Sequence, residues 1–198
     1  MTNSIKQLEE RIATAIGVAY CAVVPVGEGD LLALRVLGDG ALGERALMAG
    51  EECLVSARDA GKMANVWQKI GVIPSIYTEN TGASLERALS PASKAVVLTH
   101  VDGKAQKTET VRNFCNAYDL WMLERIEETW GLTCVFDGRK YGAGVVGDLG
   151  IGTLCDVKGE PICDYLCTKD ALPYQLACAY RRVQITRTDA ERGLNFLQ

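Results

Sequence analysis

Leu120-Trp-Met-Leu-Glu-Arg-Ile-Glu-Glu-Thr-Trp-Gly131 is the stretch whose reading decides the fold. Leu120 to Leu123 is a short apolar run, long enough for a buried strand and too short for a helix. Thr108 to Tyr118, just before it, reads as a helix, and polar residues with a glycine follow. In an open α/β sheet, the C-terminal end of such a strand is where chemistry is placed. That end carries Glu124, Arg125, Glu127 and Glu128, and it reads as an active-site rim.

Working outward, short apolar runs alternate with helical stripes on the N-terminal side. Ile5, Leu8, Ile12 and Ile16 make a helix over Ser4 to Ile16 that Gly17 closes. Tyr20 to Val26 reads as a strand, Gly27-Glu-Gly-Asp30 as a turn and Leu31 to Leu37 as a helix. Gly38 to Gly43 reads as a loop, Cys53 to Ala57 as a strand, and Lys62 to Ile70 as a helix stopped by Gly71. Ile73 to Tyr77 is a strand, Thr81 opens a helix ending near Leu89, and Ala95 to Thr99 is a strand. On the C-terminal side, Gly131 to Gly152 is glycine-rich, and Asp137-Gly138 favours a hairpin turn. Ala171 to Leu197 reads as mostly helical. The alternation predicts an α/β fold of three layers, a mostly parallel sheet flanked by helices. Residues 1–198 hold no domain-sized linker and no internal repeat, so one domain is expected.

Composition narrows the function classes. The chain is 48% hydrophobic and 23% charged with a net charge of −4, and its basic residues are scattered. This excludes an obvious nucleic-acid surface. No apolar run approaches the roughly 20 residues of a membrane span. Met1-Thr-Asn-Ser-Ile-Lys enters a helix directly, so a cytoplasmic protein is expected. Eight cysteines occur without a C-x-x-C pair, and Cys163-x-x-x-Cys167 lacks matching ligands, so no metal is expected. His100 ends an apolar run and reads as a hydrogen-bonded strand-end residue rather than a catalyst.

The order of motifs resembles the DegT–DnrJ–StrS family of sugar aminotransferases and dehydratases, and within it the nucleotide-sugar 3-dehydrase branch. Leu8-Glu-Glu-Arg-Ile-Ala-Thr-Ala-Ile-Gly-Val18 is similar to the family's helix before its first large-domain strand. Leu42-Gly-Glu-Arg-Ala-Leu-Met-Ala-Gly-Glu-Glu52 resembles the branch's insertion and strand entry. Gly71-Val-Ile-Pro74, Ser93-Lys-Ala-Val96, Tyr118-Asp-Leu-Trp-Met-Leu-Glu124, Phe136-Asp-Gly138 and Gly150-Ile-Gly-Thr153 continue it in register. Tyr174-Gln-Leu-Ala-Cys178 looks like a late family helix. The resemblance implies the large domain of the type I PLP-transferase (aspartate aminotransferase) fold, in trimmed form, without the N-terminal arm or the small C-terminal domain. It also implies PLP or its amine form PMP as the family's cofactor, and dimers with the active site at their interface.

A PLP site needs an anion cradle, a ring-stacking group, an acidic partner for the pyridine nitrogen and a Schiff-base lysine. By the resemblance, the phosphate turn falls on Pro25-Val-Gly-Glu-Gly-Asp30, where Gly27 and Gly29 shape the turn. Glu28 and Asp30 put carboxylates there, each opposing a phosphate by roughly 4 kcal/mol at about 4 Å and an effective dielectric of about 20. The stacking position aligns with Ala60, the ring-nitrogen partner with Arg125, and the serine before the lysine loop with Cys155. After Asp156-Val-Lys-Gly-Glu-Pro161 the sequence passes almost directly to the late helix. The segment bearing the family's Schiff-base lysine (a histidine in the 3-dehydrase branch) is expected to be missing. Lys158 is the one lysine near that segment, against an ordinary reading as a solvated loop residue. Glu127 and Glu128 are candidates for a general acid/base pair, although neighbours on an extended segment point opposite ways.

Two readings follow. The first is a pseudoenzyme with a vestigial pocket of Gly27, Glu28, Gly29, Asp30, Ala60, Arg125 and Cys155. It would use no cofactor and pair with itself or with a full-length related enzyme. The second is an enzyme with a repurposed pocket, in which Arg125, Glu127, Glu128 and Lys158 act on a nucleotide sugar or another small anion.

Overall fold

The computed structural model describes residues 3–127, 130–181 and 184–197. Strands and helices alternate from the start. They are α1 (Asn3–Ile16), β1 (Tyr20–Val24), α2 (Gly29–Leu37), β2 (Glu52–Ser56), α3 (Ala57–Lys62), α4 (Ala64–Ile70), β3 (Ile73–Tyr77), α5 (Gly82–Ala88) and β4 (Ser93–His100). There follow α6 (Thr108–Tyr118), β5 (Trp121–Ile126), β6 (Thr133–Phe136), β7 (Arg139–Gly142), β8 (Leu149–Cys155), β9 (Pro161–Thr168), α7 (Ala171–Tyr180) and α8 (Arg187–Phe196).

Seven strands form one sheet in the order β1-β9-β8-β5-β4-β2-β3. β8, β5, β4, β2 and β3 run parallel, and β9 lies inverted between β8 and β1. β1 occupies an edge and pairs with β9 alone, from Tyr20↔Thr168 to Val24↔Asp164. The period of two in each strand sorts residues between two helical layers. On the front face Val97, Leu123, Ile151 and Leu166 pack with α2, α4 and α7. On the back, Val96, Leu98 and Met122 meet α5 and α6, while Val23, Cys163 and Tyr165 meet α1 and α8. A buried link crosses the layers where Glu9 of α1 accepts from Val23 N–H at 3.0 Å and pairs with Arg181 after α7.

Sequence reasoning placed the α/β alternation and the parallel core, but four local expectations give way. Gly38 to Gly43 is not an open loop: Asp39 accepts from Ala41 N–H and caps a 3-10 turn over Gly40–Arg45. The strand expected at Cys53 to Ala57 is Glu52–Ser56, because Ser56 caps α3 by accepting from Asp59 N–H. The helix expected over Lys62 to Ile70 begins later, as α4 at Ala64, and a separate helix, α3, precedes it with the break at Met63. The chain does not pass from Pro161 to the last helices: β9 intervenes, paired on both sides. The hairpin turn fell where it was expected, with Asp137 and Gly138 both at positive φ between β6 and β7.

Candidate functional site

A cleft of about 220 Å³ opens above the C-terminal ends of β5 and β8, lined by Asp30, Lys62, Arg125, Glu127, Thr153, Cys155 and Asp164 among others. Register explains why these side chains meet. Arg125 lies beside Thr99 of β4 and Ile151 of β8, and Asp164 lies between Thr153 and Val24. Thr99, Arg125, Thr153 and Asp164 share the parity of the front-face core, one step beyond its row of Val97, Leu123, Ile151 and Leu166.

The parity also corrects the rim. Glu124, one residue before Arg125, points to the back and is fully buried. It accepts from His100 Nε2 and Gly144 N–H, both at 3.0 Å, and from Gly147 N–H. His100 Nδ1 accepts from Gln106 N–H at 3.0 Å, which fixes the tautomer that donates from Nε2. His100 is therefore the hydrogen-bonded strand-end residue, and Glu124 belongs to the interior rather than to the cleft.

At the turn from β1 into α2 the backbone forms an anion cradle, but neither expected carboxylate enters it. Glu28 is exposed and lies by a second cleft with Arg35, and Asp30 turns to Arg125. The carboxylate in the cradle is that of Asp164, brought from β9. Its Oδ2 accepts from Gly27 N–H at 2.7 Å and Gly29 N–H at 3.1 Å, and its Oδ1 accepts from Thr153 Oγ1 at 2.7 Å. Gly27 supports this turn at a φ of +89°. Burial pushes the Asp164 carboxyl up from the usual range, against the lowering effect of these three donors.

Arg125 is the hub of the cleft. Its Nε meets Asp30 Oδ1 at 2.9 Å and its Nη2 meets Asp30 Oδ2 at 3.1 Å, a bidentate pair. Nη1 pairs with Glu127 and lies 3.8 Å from Asp59 Oδ1. Glu127 is further held by Arg58 and by Lys62 Nζ at 2.7 Å. Burial works against the charge on Arg125, yet Asp30 and then Glu127 outweigh it and push its pKa up. Burial alone would raise the Glu127 carboxyl, but Lys62 and Arg125 hold it low. Asp59 is buried by the S-x-x-D capping arrangement with Ser56, and its Oδ1 has no hydrogen-bond donor among the described residues.

The structure thus brings Asp30, Arg125, Glu127 and Cys155 into one cleft, with Gly27 and Gly29 at its cradle. Burial raises the Cys155 thiol. Ala60 stays on α3 against the core and does not line the cleft. Lys158 sits exposed at the β8–β9 turn, its N–H bonded to Asp156 Oδ1, outside the cleft lining. Glu128 lies outside the described residues. Sequence reasoning missed Asp59, Lys62 and Asp164. The S-x-x-D spacing signals the first, whereas nothing local marks Asp164, which acts across 137 residues. Among the described residues no group of three or more His, Cys, Asp or Glu side chains is placed to hold a metal, and no helix is long and apolar enough to cross a membrane.

Comparison with known proteins places this geometry in context. Residues 1–151 match the DegT/DnrJ/EryC1/StrS aminotransferase family. Lipopolysaccharide biosynthesis protein RfbH of Salmonella typhimurium is 34% identical over 149 residues, which is 72% of this chain and 33% of that protein. GDP-perosamine synthase of Vibrio cholerae is 27% identical over 146 residues, 70% of this chain and 37% of that protein. The chain therefore matches about a third of the length of these curated relatives. Among solved structures, a GDP-4-keto-6-deoxymannose-3-dehydratase (ColD) with bound GDP-perosamine superposes with a TM-score of 0.81 at 17% identity, over 100% of this chain and 61% of that one. The aminotransferase PseC of Helicobacter pylori gives 0.80 at 16% identity, over 100% and 58%. These neighbours share the type I PLP-transferase fold seen here.

Proposed function

The chain belongs to the DegT/DnrJ/EryC1/StrS aminotransferase family of PLP-dependent sugar aminotransferases and dehydratases, and from that premise we propose that it is a non-catalytic member. Its role is that of a partner or regulatory subunit for a full-length related enzyme. The observation that carries the non-catalytic reading is the bidentate Arg125–Asp30 pair. Where the resemblance puts an acid for the pyridine nitrogen stands a guanidinium, which has no acceptor to offer a pyridinium proton and is already engaged.

The rest of the donor set does not fit PLP either. The cradle's N–H groups are taken by Asp164, and among the described residues no aromatic ring lines the cleft. Lys62 is bound to Glu127. β8 reaches β9 through a turn closed by Gly159 N–H to Asp156 O at 2.9 Å, with Lys158 as its single lysine. A repurposed pocket needs Arg125 free for an external anion, and its fork is occupied. We read residues 1–198 as one PLP-transferase-like large domain, kept for its fold and surfaces rather than its site.

An absorbance titration with PLP and PMP, followed by borohydride reduction and mass analysis, tests the non-catalytic reading. No saturable band and no adduct are expected. A shifted band with a reduced adduct on Lys62 or Lys158 would sink it. Size-exclusion chromatography with a full-length family enzyme from the same genome tests the partner role, with co-elution expected and separate peaks counting against it.

A further inference from the structure

We propose that Asp164 is a built-in anion: it fills, from within the chain, the receptor formed by Gly27 N–H, Gly29 N–H and Thr153 O–H, and so closes it to external phosphate. The proposal goes beyond the subunit role and holds whether or not a partner exists.

The receptor has the features of an oxyanion site. Two backbone N–H groups converge on one oxygen at 2.7 and 3.1 Å, and a hydroxyl meets the other at 2.7 Å. The two N–H groups sit at the N-terminus of α2, a nine-residue helix whose dipole favours negative charge there. Gly29 lets the anion approach closely: a Cβ on it would lie 3.1 Å from Asp164 Cβ and 2.9 Å from Ile151 Cγ2. Glu28 makes no side-chain cap to α2, so the cap comes from another strand. β9 fixes Asp164 on both sides, through Thr153 and Val24. A phosphate would have to expel an anion that is already in place, 7% exposed and hydrogen-bonded at both oxygens. An internal ligand on a rigid strand has paid its ordering cost in folding, which an external one pays on binding.

Inorganic phosphate is the probe. In the intact protein, the Gly27 and Gly29 amide resonances should stay unmoved as phosphate is titrated to millimolar concentrations. Asp164→Gly empties the receptor and should bind phosphate saturably, at least tenfold tighter than the parent. Asp164→Ser, which keeps a small polar group, serves if the glycine variant does not fold. Asp164→Asn keeps the shape filled and should gain nothing. Phosphate-induced shifts of both amides in the parent overturn the proposal. So does a folded glycine or serine variant without gained affinity. Neither result depends on PLP or on a partner protein, so failure here is distinguishable from failure of the subunit reading.

Discussion

Replacing Arg125 by methionine removes the one cation shared by Asp30, Asp59 and Glu127 while keeping much of the side-chain volume. At about 4 Å and an effective dielectric of about 20, each such pair carries roughly 4 kcal/mol, so the gross attraction is on the order of 12 kcal/mol. Much of that is not lost. Lys62 and Arg58 continue to hold Glu127, and Asp30, with its side chain 20% exposed, is reached by water. Asp59, at 1%, loses its one ion-pair partner among the described residues. The net cost should lie near the low end of the roughly 3–5 kcal/mol found for breaking a buried pair. With an m-value of about 2–3 kcal/mol/M, the urea midpoint at pH 7 should fall by roughly 1–1.5 M.

The pH dependence carries the stronger test. Glu127 has a folded-state pKa held below its unfolded value, so its stabilisation is present above the unfolded carboxylate range. That stabilisation disappears as pH falls through the lower, folded value. Losing Arg125 removes part of it and leaves uncompensated carboxylates, which cost most when ionised. The gap between parent and variant should therefore be widest near pH 7 and narrow as pH drops below the carboxylate range. Urea unfolding followed by circular dichroism at several pH values measures it. A gap under about 1 kcal/mol, or one equally wide in acid, would refute the view that Arg125 balances the carboxylates of the cleft.

Three further outcomes are expected. Glu124→Gln should cost about 2–4 kcal/mol in urea unfolding, because both carboxylate oxygens accept and an amide nitrogen must face an N–H donor. Gly152→Ala should cost several kcal/mol or disturb β8, since its Cβ would lie 2.3 Å from the buried Tyr165 hydroxyl; a thermal melt unchanged from the parent would contradict that packing. A thiol reagent at pH 8 should label Cys155 and Cys178 first in the native protein and leave the six buried cysteines for denaturant. Mass mapping of the labelled sites reads that order, and burial raises Cys115 and Cys163 to about 12 in support of it.

The sheet was legible wherever apolar runs were bounded by turn residues, and less so where a polar residue sits inside a strand. β5 runs through to Ile126, yet its apolar signal stops at Leu123, because Glu124 is tolerated in the core only through partners distant in sequence. β9 was hidden for the same reason: Pro161, Asp164 and two cysteines obscure a strand whose central carboxylate is satisfied by the β1–α2 turn. The cradle's location was readable from Gly27 and Gly29. Its occupant was not, since one sequence does not disclose which strand will lie beside which. Arg125 is readable as a departure from the family pattern, but its bidentate pairing with Asp30 is not: the sequence sets Asp30 in the phosphate turn as a charge opposing phosphate, and the fold turns it to Arg125.

The pairing of β1 with β9 alone bears on how the chain is made. Tyr20–Val24 leaves the ribosome early, yet its partner, Pro161–Thr168, is synthesised about 140 residues later, roughly 7–30 s at 5–20 residues per second. Until then an apolar segment with two unsatisfied edges waits on an incomplete sheet. Translation speed and holding chaperones should therefore govern the soluble yield of this protein more than its final stability does.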